Sequence, residues 1–137
     1  MTTFDPFIAF VPHLALLVRV LVGGTLMIHG YPKLKSREQS MNWMKNMGLP
    51  GGLAVLAGVL EFFGGLLLVI GLAVPIIALF FVIQFASITI MKKYKMKAAF
   101  VSSGKPSFEI DIMYLLLSIV LLVLGAGALS MDGLIGI

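Results

Sequence analysis

Four apolar stretches, each close to the length of a membrane-crossing helix, constrain this chain more than any other feature of its sequence. They are expected as helices over about 12–29, 53–74, 75–91 and 109–125, and a spanning helix needs about 20 residues. Only 12% of the residues are charged, against about 25% in an ordinary soluble domain. That leaves too little polar surface to cover a water-soluble fold. The expected class is therefore all-α: an integral membrane four-helix bundle with antiparallel up-down topology, formed by one transmembrane domain over residues 1–137.

The connectors differ in kind. Gly30 to Gly52 is polar, and its Met41, Trp43, Met44 and Met47 suit a short amphipathic helix lying on the membrane surface. Ala73, Val74 and Pro75 leave room only for a tight turn, so the second and third helices are expected to be antiparallel neighbours. Lys92 to Ser107 is a basic loop broken by Gly104 and Pro106. Nine of the ten Lys/Arg lie in the first and third connectors, whereas both chain ends carry acids (Asp5, Asp132) and no Lys or Arg. The positive-inside rule puts loops 30–52 and 92–107 in the cytoplasm and both termini outside. Short basic connectors between apolar segments point to topology and not to nucleic acid. The partners expected are the lipid bilayer and either other proteins or further copies of this chain.

Two charges, Arg19 and Glu61, fall deep inside apolar segments. A charge at a helix centre costs about 2.5–3.5 kcal/mol or more, so it needs a partner. Counted from the basic side, with the first helix ending near His29, both lie about 12–15 Å deep at 1.5 Å per residue. An Arg19–Glu61 pair is therefore expected. Small residues support close helix approach around both groups: Gly23 beside Arg19, and Ala57, Gly58, Gly64 and Gly65 around Glu61. Asp111, Tyr114 and Ser118 form a stripe on the fourth helix, with Glu109 two residues before Asp111. Gln84 on the third helix and His29 at the end of the first complete the candidate polar interior.

Several chemistries are absent from the sequence. There are no cysteines, hence no disulfide, thiolate metal site or thiol relay. No Gly-rich phosphate loop and no HxxxH pair occurs. His13 and His29 lie near opposite ends of one helix. No metal site is expected.

The motif residues resemble the DoxX family (DoxX/DoxD-like small four-helix integral membrane proteins). The likeness begins at Arg19 and continues through His29-Gly30 with Lys33. It runs through Leu56-Ala57-Gly58-Val59-Leu60-Glu61-Phe62-Phe63-Gly64-Gly65 to Gly71. It closes with Glu109, Asp111, Gly125-Ala126-Gly127, Ser130 and Asp132. The resemblance implies a four-helix membrane fold. Some relatives are membrane subunits linked to thiosulfate oxidation and quinone reduction, and others sit beside sulfurtransferases or superoxide dismutase. The family also resembles eukaryotic cargo receptors and assembly chaperones.

Three functions compete on this basis. The first is a non-catalytic accessory subunit of a quinone-linked redox complex, with a quinone as its cofactor class and Arg19, Glu61 and His29 lining a polar pocket. The second is a chaperone, assembly factor or receptor for other membrane proteins. The third is a transporter of a small solute.

Overall fold

The computed structural model describes residues 5–101 and 103–137, and the described residues are helical throughout apart from connecting turns and one isolated bridge between Ala99 and Ser107. A single turn, α1 (Asp5–Ile8), leads into the long α2 (Val11–Lys35). Pro12 sits in the first turn of α2, where the missing N–H has no intrahelical acceptor to lose. The helix does not stop at His29. It runs through Pro32 to Lys35, and the backbone N–H of Ser36 bonds the Pro32 carbonyl at 2.9 Å. A proline in the last turn removes one hydrogen bond but leaves the chain free to complete the turn.

The first connector contains α3 (Arg37–Asn46), which buries none of its residues and abuts the start of the next helix. That next helix is interrupted. Regular α4 (Gly52–Val59) passes into a π-helical turn at Leu60–Gly64 and resumes as α5 (Gly65–Ile70). Gly71 ends it at φ +75°, a conformation glycine adopts without penalty. A Cβ there would lie 2.5 Å from the Arg19 Nη1 and 2.6 Å from the Ser130 Cβ. Gly71 is thus required both by its backbone and by its neighbours. After Leu72 and Ala73 the chain enters α6 (Val74–Tyr94). The basic loop follows, then α7 (Glu109–Leu124) and a short α8 (Met131–Ile135).

Three helical runs, Pro6–Lys35, Gly52–Ile70 and Val74–Tyr94, are long and apolar enough to cross a membrane. At 16 residues, α7 is shorter. It packs along α6 more extensively than any other pair of elements. The buried core is built from Val22 and Leu26 of α2, Leu68 of α5, Val74, Ala78, Phe81 and Phe85 of α6, and Leu121 of α7. Outward positions such as Leu21, Ile28, Phe63, Ile83 and Val123 are large, apolar and exposed. That pattern suits hydrocarbon and not water.

Glycines set the approach of the helices. A Cβ on Gly23 would strike the Gly65 carbonyl, and a Cβ on Gly65 would lie 2.5 Å from the Gly23 carbonyl. The two backbones therefore touch directly. Gly30 meets Gly58 and Glu61 in the same way. As the residue number rises along α2 its partner's number falls, so these two helices run in opposite directions. Gly64 faces the other side, where a Cβ would sit 2.8 Å from Phe81 Cζ. The small residues around Glu61 thus serve two contacts, one with α2 and one with α6.

Candidate functional site

Glu61 occupies the first turn of the π-helical segment and is 2% exposed. π-turns carry one residue more per turn than the α-helix and recur at functional sites. The Glu61 carboxylate does not pair with Arg19. Its Oε1 accepts from Lys33 Nζ at 2.6 Å and from Gln84 Nε2 at 2.8 Å. Gly58 makes the first contact possible, because a Cβ there would lie 3.0 Å from Lys33 Cβ. The missing side chain leaves room for the lysine stem. Lys33 itself is one-third exposed, so its charge stays near water while its tip reaches the buried acid.

The expected Arg19–Glu61 pair is corrected by the length of α2. Because the helix continues past His29, the residue opposite Glu61 is Gly30, about 16 Å along α2 from Arg19 at 1.5 Å per residue. Arg19 lies at the other end of the molecule, 1% exposed. Its guanidinium donates to the Ala126 carbonyl and, at 2.8 Å, to the Leu129 carbonyl. Asp132 supplies the opposite charge nearby. The Asp132 carboxylate accepts from the backbone N–H groups of Ala73 at 2.7 Å and Val74 at 2.9 Å, and so caps the start of α6. The Asp132 backbone N–H donates to the Gly71 carbonyl at 2.9 Å. Ser130 caps α8 by accepting from Gly133 N at 2.9 Å. Arg19, Gly71, Ser130 and Asp132 therefore form a latch that fastens the C-terminal segment across the α5–α6 turn. Every hydrogen bond in the latch ends on a backbone group or fixes one.

Glu61 marks the narrow end of a wedge. Next to the turn, α5 and α6 are in contact, and Gly64 meets Phe81 one step further on. The Glu61–Gln84 hydrogen bond bridges the following level. Beyond it α4 and α6 diverge and make almost no contact. The resulting cleft has a volume of about 1270 Å³. Its walls are mostly apolar: Leu26, Leu53, Leu56, Leu60, Phe80, Ile83, Ile88 and Ile90. Leu53, Leu56, Phe80, Ile83 and Ile90 are all at least 42% exposed, so the cleft opens sideways between α4 and α6. Trp43 and Met44 of α3 stand at its border.

The back wall is polar and aromatic. Tyr114 stacks on Phe85 with centroids 5.0 Å apart, and His29 meets the edge of Tyr114 at 5.7 Å. Lys92 Nζ donates to Asp111 Oδ2 at 2.6 Å and to the Ser107 carbonyl at 3.2 Å, which ties the basic loop to both adjoining helices. Among the polar residues expected to converge, the structure brings His29, Glu61, Gln84, Asp111 and Tyr114 to this cleft. Arg19 belongs to the latch instead. Glu109 does not line the cleft, and Ser118 is buried with its hydroxyl donating to the Tyr114 carbonyl at 2.7 Å. Lys33 and Lys92, the partners of the two acids that line the cleft, escaped sequence reasoning as site residues. Lys33 stands four residues after His29, one turn along the same helix face, and that spacing could have revealed it. Among the described residues no cluster of three or more His, Cys, Asp or Glu could hold a metal ion.

The sequence model of the DoxX family matches residues 14–93, which include Arg19, the His29-Gly30 pair, Lys33, Glu61 and Gln84. This chain belongs to the DoxX family. Both the latch and the wedge draw on its motif residues, so the motif serves two separate structural ends. A relative from Bacillus subtilis (strain 168), "Putative oxidoreductase CatD", is 33% identical over 119 residues, which is 85% of this chain and 83% of the relative. No solved structure matches the chain.

Proposed function

We propose that this DoxX-family protein is a membrane-embedded accessory subunit of a redox complex, and that its lateral cleft holds a lipid-soluble carrier of the quinone class. One observation carries the reading: an apolar cleft of about 1270 Å³, open sideways, narrows onto the buried Glu61 carboxylate and its two donors, Lys33 and Gln84. Such a shape takes an amphiphile whose tail comes from hydrocarbon and whose polar head needs fixed partners. When bound, a quinone carries electrons and protons between a protein and the bilayer. Glu61 and Gln84 would hold the head, Tyr114 and Phe85 would flank its ring, and His29 with Glu61 would exchange protons with it. The Bacillus subtilis relative's description as an oxidoreductase agrees with this class of ligand. The chain has no cysteine to relay electrons as thiol, so we place the electron partner in another protein.

The same proposal includes the placement in the bilayer. We treat residues 1–137 as one four-helix antiparallel bundle, with α7 as the fourth span. The two basic connectors then face the cytoplasm and both ends face outward. The cleft would open at the cytoplasmic half of the membrane.

The test uses the full chain in phosphatidylcholine nanodiscs titrated with a decyl-substituted benzoquinone. Trp43, the only tryptophan, borders the cleft and reports occupancy by its fluorescence. Saturable quenching that disappears in Ala57→Phe, a cleft-filling change, is expected. Unsaturable quenching that is identical in both proteins would overturn the assignment.

A further inference from the structure

We infer that the cleft selects the reduced, dihydroxy form of its ring-bearing ligand over the oxidised, diketone form. The inference deepens the quinone-class reading above and rests on it. It comes from which hydrogen-bonding groups at the narrow end of the wedge lack partners.

Both donors at that point converge on one oxygen. Lys33 Nζ and Gln84 Nε2 each bond Glu61 Oε1. Glu61 Oε2 is buried with no partner, and so is Gln84 Oε1. The amide orientation of Gln84 is fixed by the carboxylate, because the flipped amide would set oxygen against oxygen. Both unmet groups are therefore acceptors. A buried acceptor left without a donor is costly, and two at the closed end of one cleft create a demand for a ligand that donates.

A hydroquinone meets that demand, since each of its hydroxyls carries one O–H. A quinone cannot, since its two carbonyl oxygens only accept and would face acceptors. Among the donor atoms that line the cleft none is buried without a partner, and Gln84 Nε2 gives one of its two N–H groups to Glu61. The unmet Nε of Arg19 lies in the latch at the far end. Lys33 has further N–H groups, but its side chain is one-third exposed and water can satisfy them. The discrimination is of the kind expected when a site built around polar groups meets an analogue lacking the matching proton.

The experiment compares the decyl-substituted benzoquinone with its hydroquinone, anaerobically, by calorimetric titration into loaded and empty nanodiscs. We expect the hydroquinone to bind at least tenfold more tightly. Each tenfold preference raises the two-electron midpoint potential of the bound couple by about 30 mV, which a redox titration reads independently. The preference should vanish in Glu61→Gln, and Gln84→Met should reduce it if the first variant fails to fold. Equal affinities, or tighter binding of the oxidised form, would overturn this inference and leave the quinone-class reading standing. Binding of neither form above empty nanodiscs would overturn that reading and this one together. A preference that survives both substitutions would overturn the role of these two acceptors.

Discussion

Replacing Lys33 should destabilise the protein more than replacing Glu61, although the two groups form one ion pair. The asymmetry comes from burial: the Glu61 side chain is 2% exposed and that of Lys33 36%. Lys33→Met leaves a buried carboxylate with Gln84 as its remaining donor. Removing one partner of a buried pair costs about 3–5 kcal/mol, and the surviving Gln84 bond should hold the loss to about 2–3 kcal/mol. Glu61→Gln leaves an ammonium that can turn to water on its flexible stem, at about 0.5–1.5 kcal/mol. The double variant has neither charge and should resemble Glu61→Gln alone, so the coupling equals the Lys33→Met loss, about 2–3 kcal/mol. A chain of this size loses about 3 °C of melting temperature per kcal/mol, so Lys33→Met should melt about 6–9 °C below the parent. Thermal unfolding in detergent, followed by Trp43 fluorescence, measures all four proteins. Arg19→Met combined with Glu61→Gln serves as the control, and the two should add to within about 0.5 kcal/mol because their surroundings are separate. A Lys33→Met protein more stable than Glu61→Gln would refute the reasoning. So would stronger coupling of Glu61 to Arg19 than to Lys33.

Gly65→Leu should lower the melting temperature, since overpacking costs about 1–3 kcal/mol and a Cβ there already presses on the Gly23 carbonyl; an unchanged value would mean that α2 and α5 are not in tight contact. Asp132→Ala strips the acceptors from two backbone N–H groups at the start of α6, at about 1–3 kcal/mol for each group left buried and unpaired. Hydrogen exchange at Ala73 and Val74 should rise, and unaltered exchange there would show that the latch does not hold the turn. Reporter fusions at the C-terminus should read as non-cytoplasmic, given nine basic residues in the two connectors; a cytoplasmic C-terminus would reverse the proposed topology and put the cleft in the outer half of the bilayer.

Much of the helical framework was legible in the residues. Apolar length located three membrane-capable runs, because hydrocarbon forces each backbone polar group into intrahelical bonds. The amphipathic tendency of Met41 to Met47 pointed to a surface helix, and α3 lies at Arg37–Asn46. The helix ends were less legible. The polar connector was expected to begin at Gly30, yet α2 continues to Lys35, because losing one hydrogen bond at Pro32 in a final turn is cheaper than leaving a helix end unpacked against α4. Ile70 and not Val74 ends the second run, since the left-handed residues Gly71 and Ala73 shape the turn. The π-helical turn had no visible signature, because it is a hydrogen-bond shift set by packing around Glu61 and not by any residue's propensity.

The sequence by itself determined that the chain is helical and suited to a bilayer, that its helices approach through glycine, and that each deep charge must find a partner. These follow from local quantities: hydropathy, side-chain size and the cost of an unpaired charge. Only the tertiary structure decided who the partners are. Lys33 and Gln84 reach Glu61, Lys92 reaches Asp111, and Arg19 and Asp132 bind backbone groups of the closing segment and the turn. Pairing depends on relative depth, which moves by about 1.5 Å for each residue by which a helix end is misplaced. Continuing α2 by six residues was enough to exchange Arg19 for Lys33 opposite the acid, and the wedge between α4 and α6 exists only because two helices held together at one turn part beyond it.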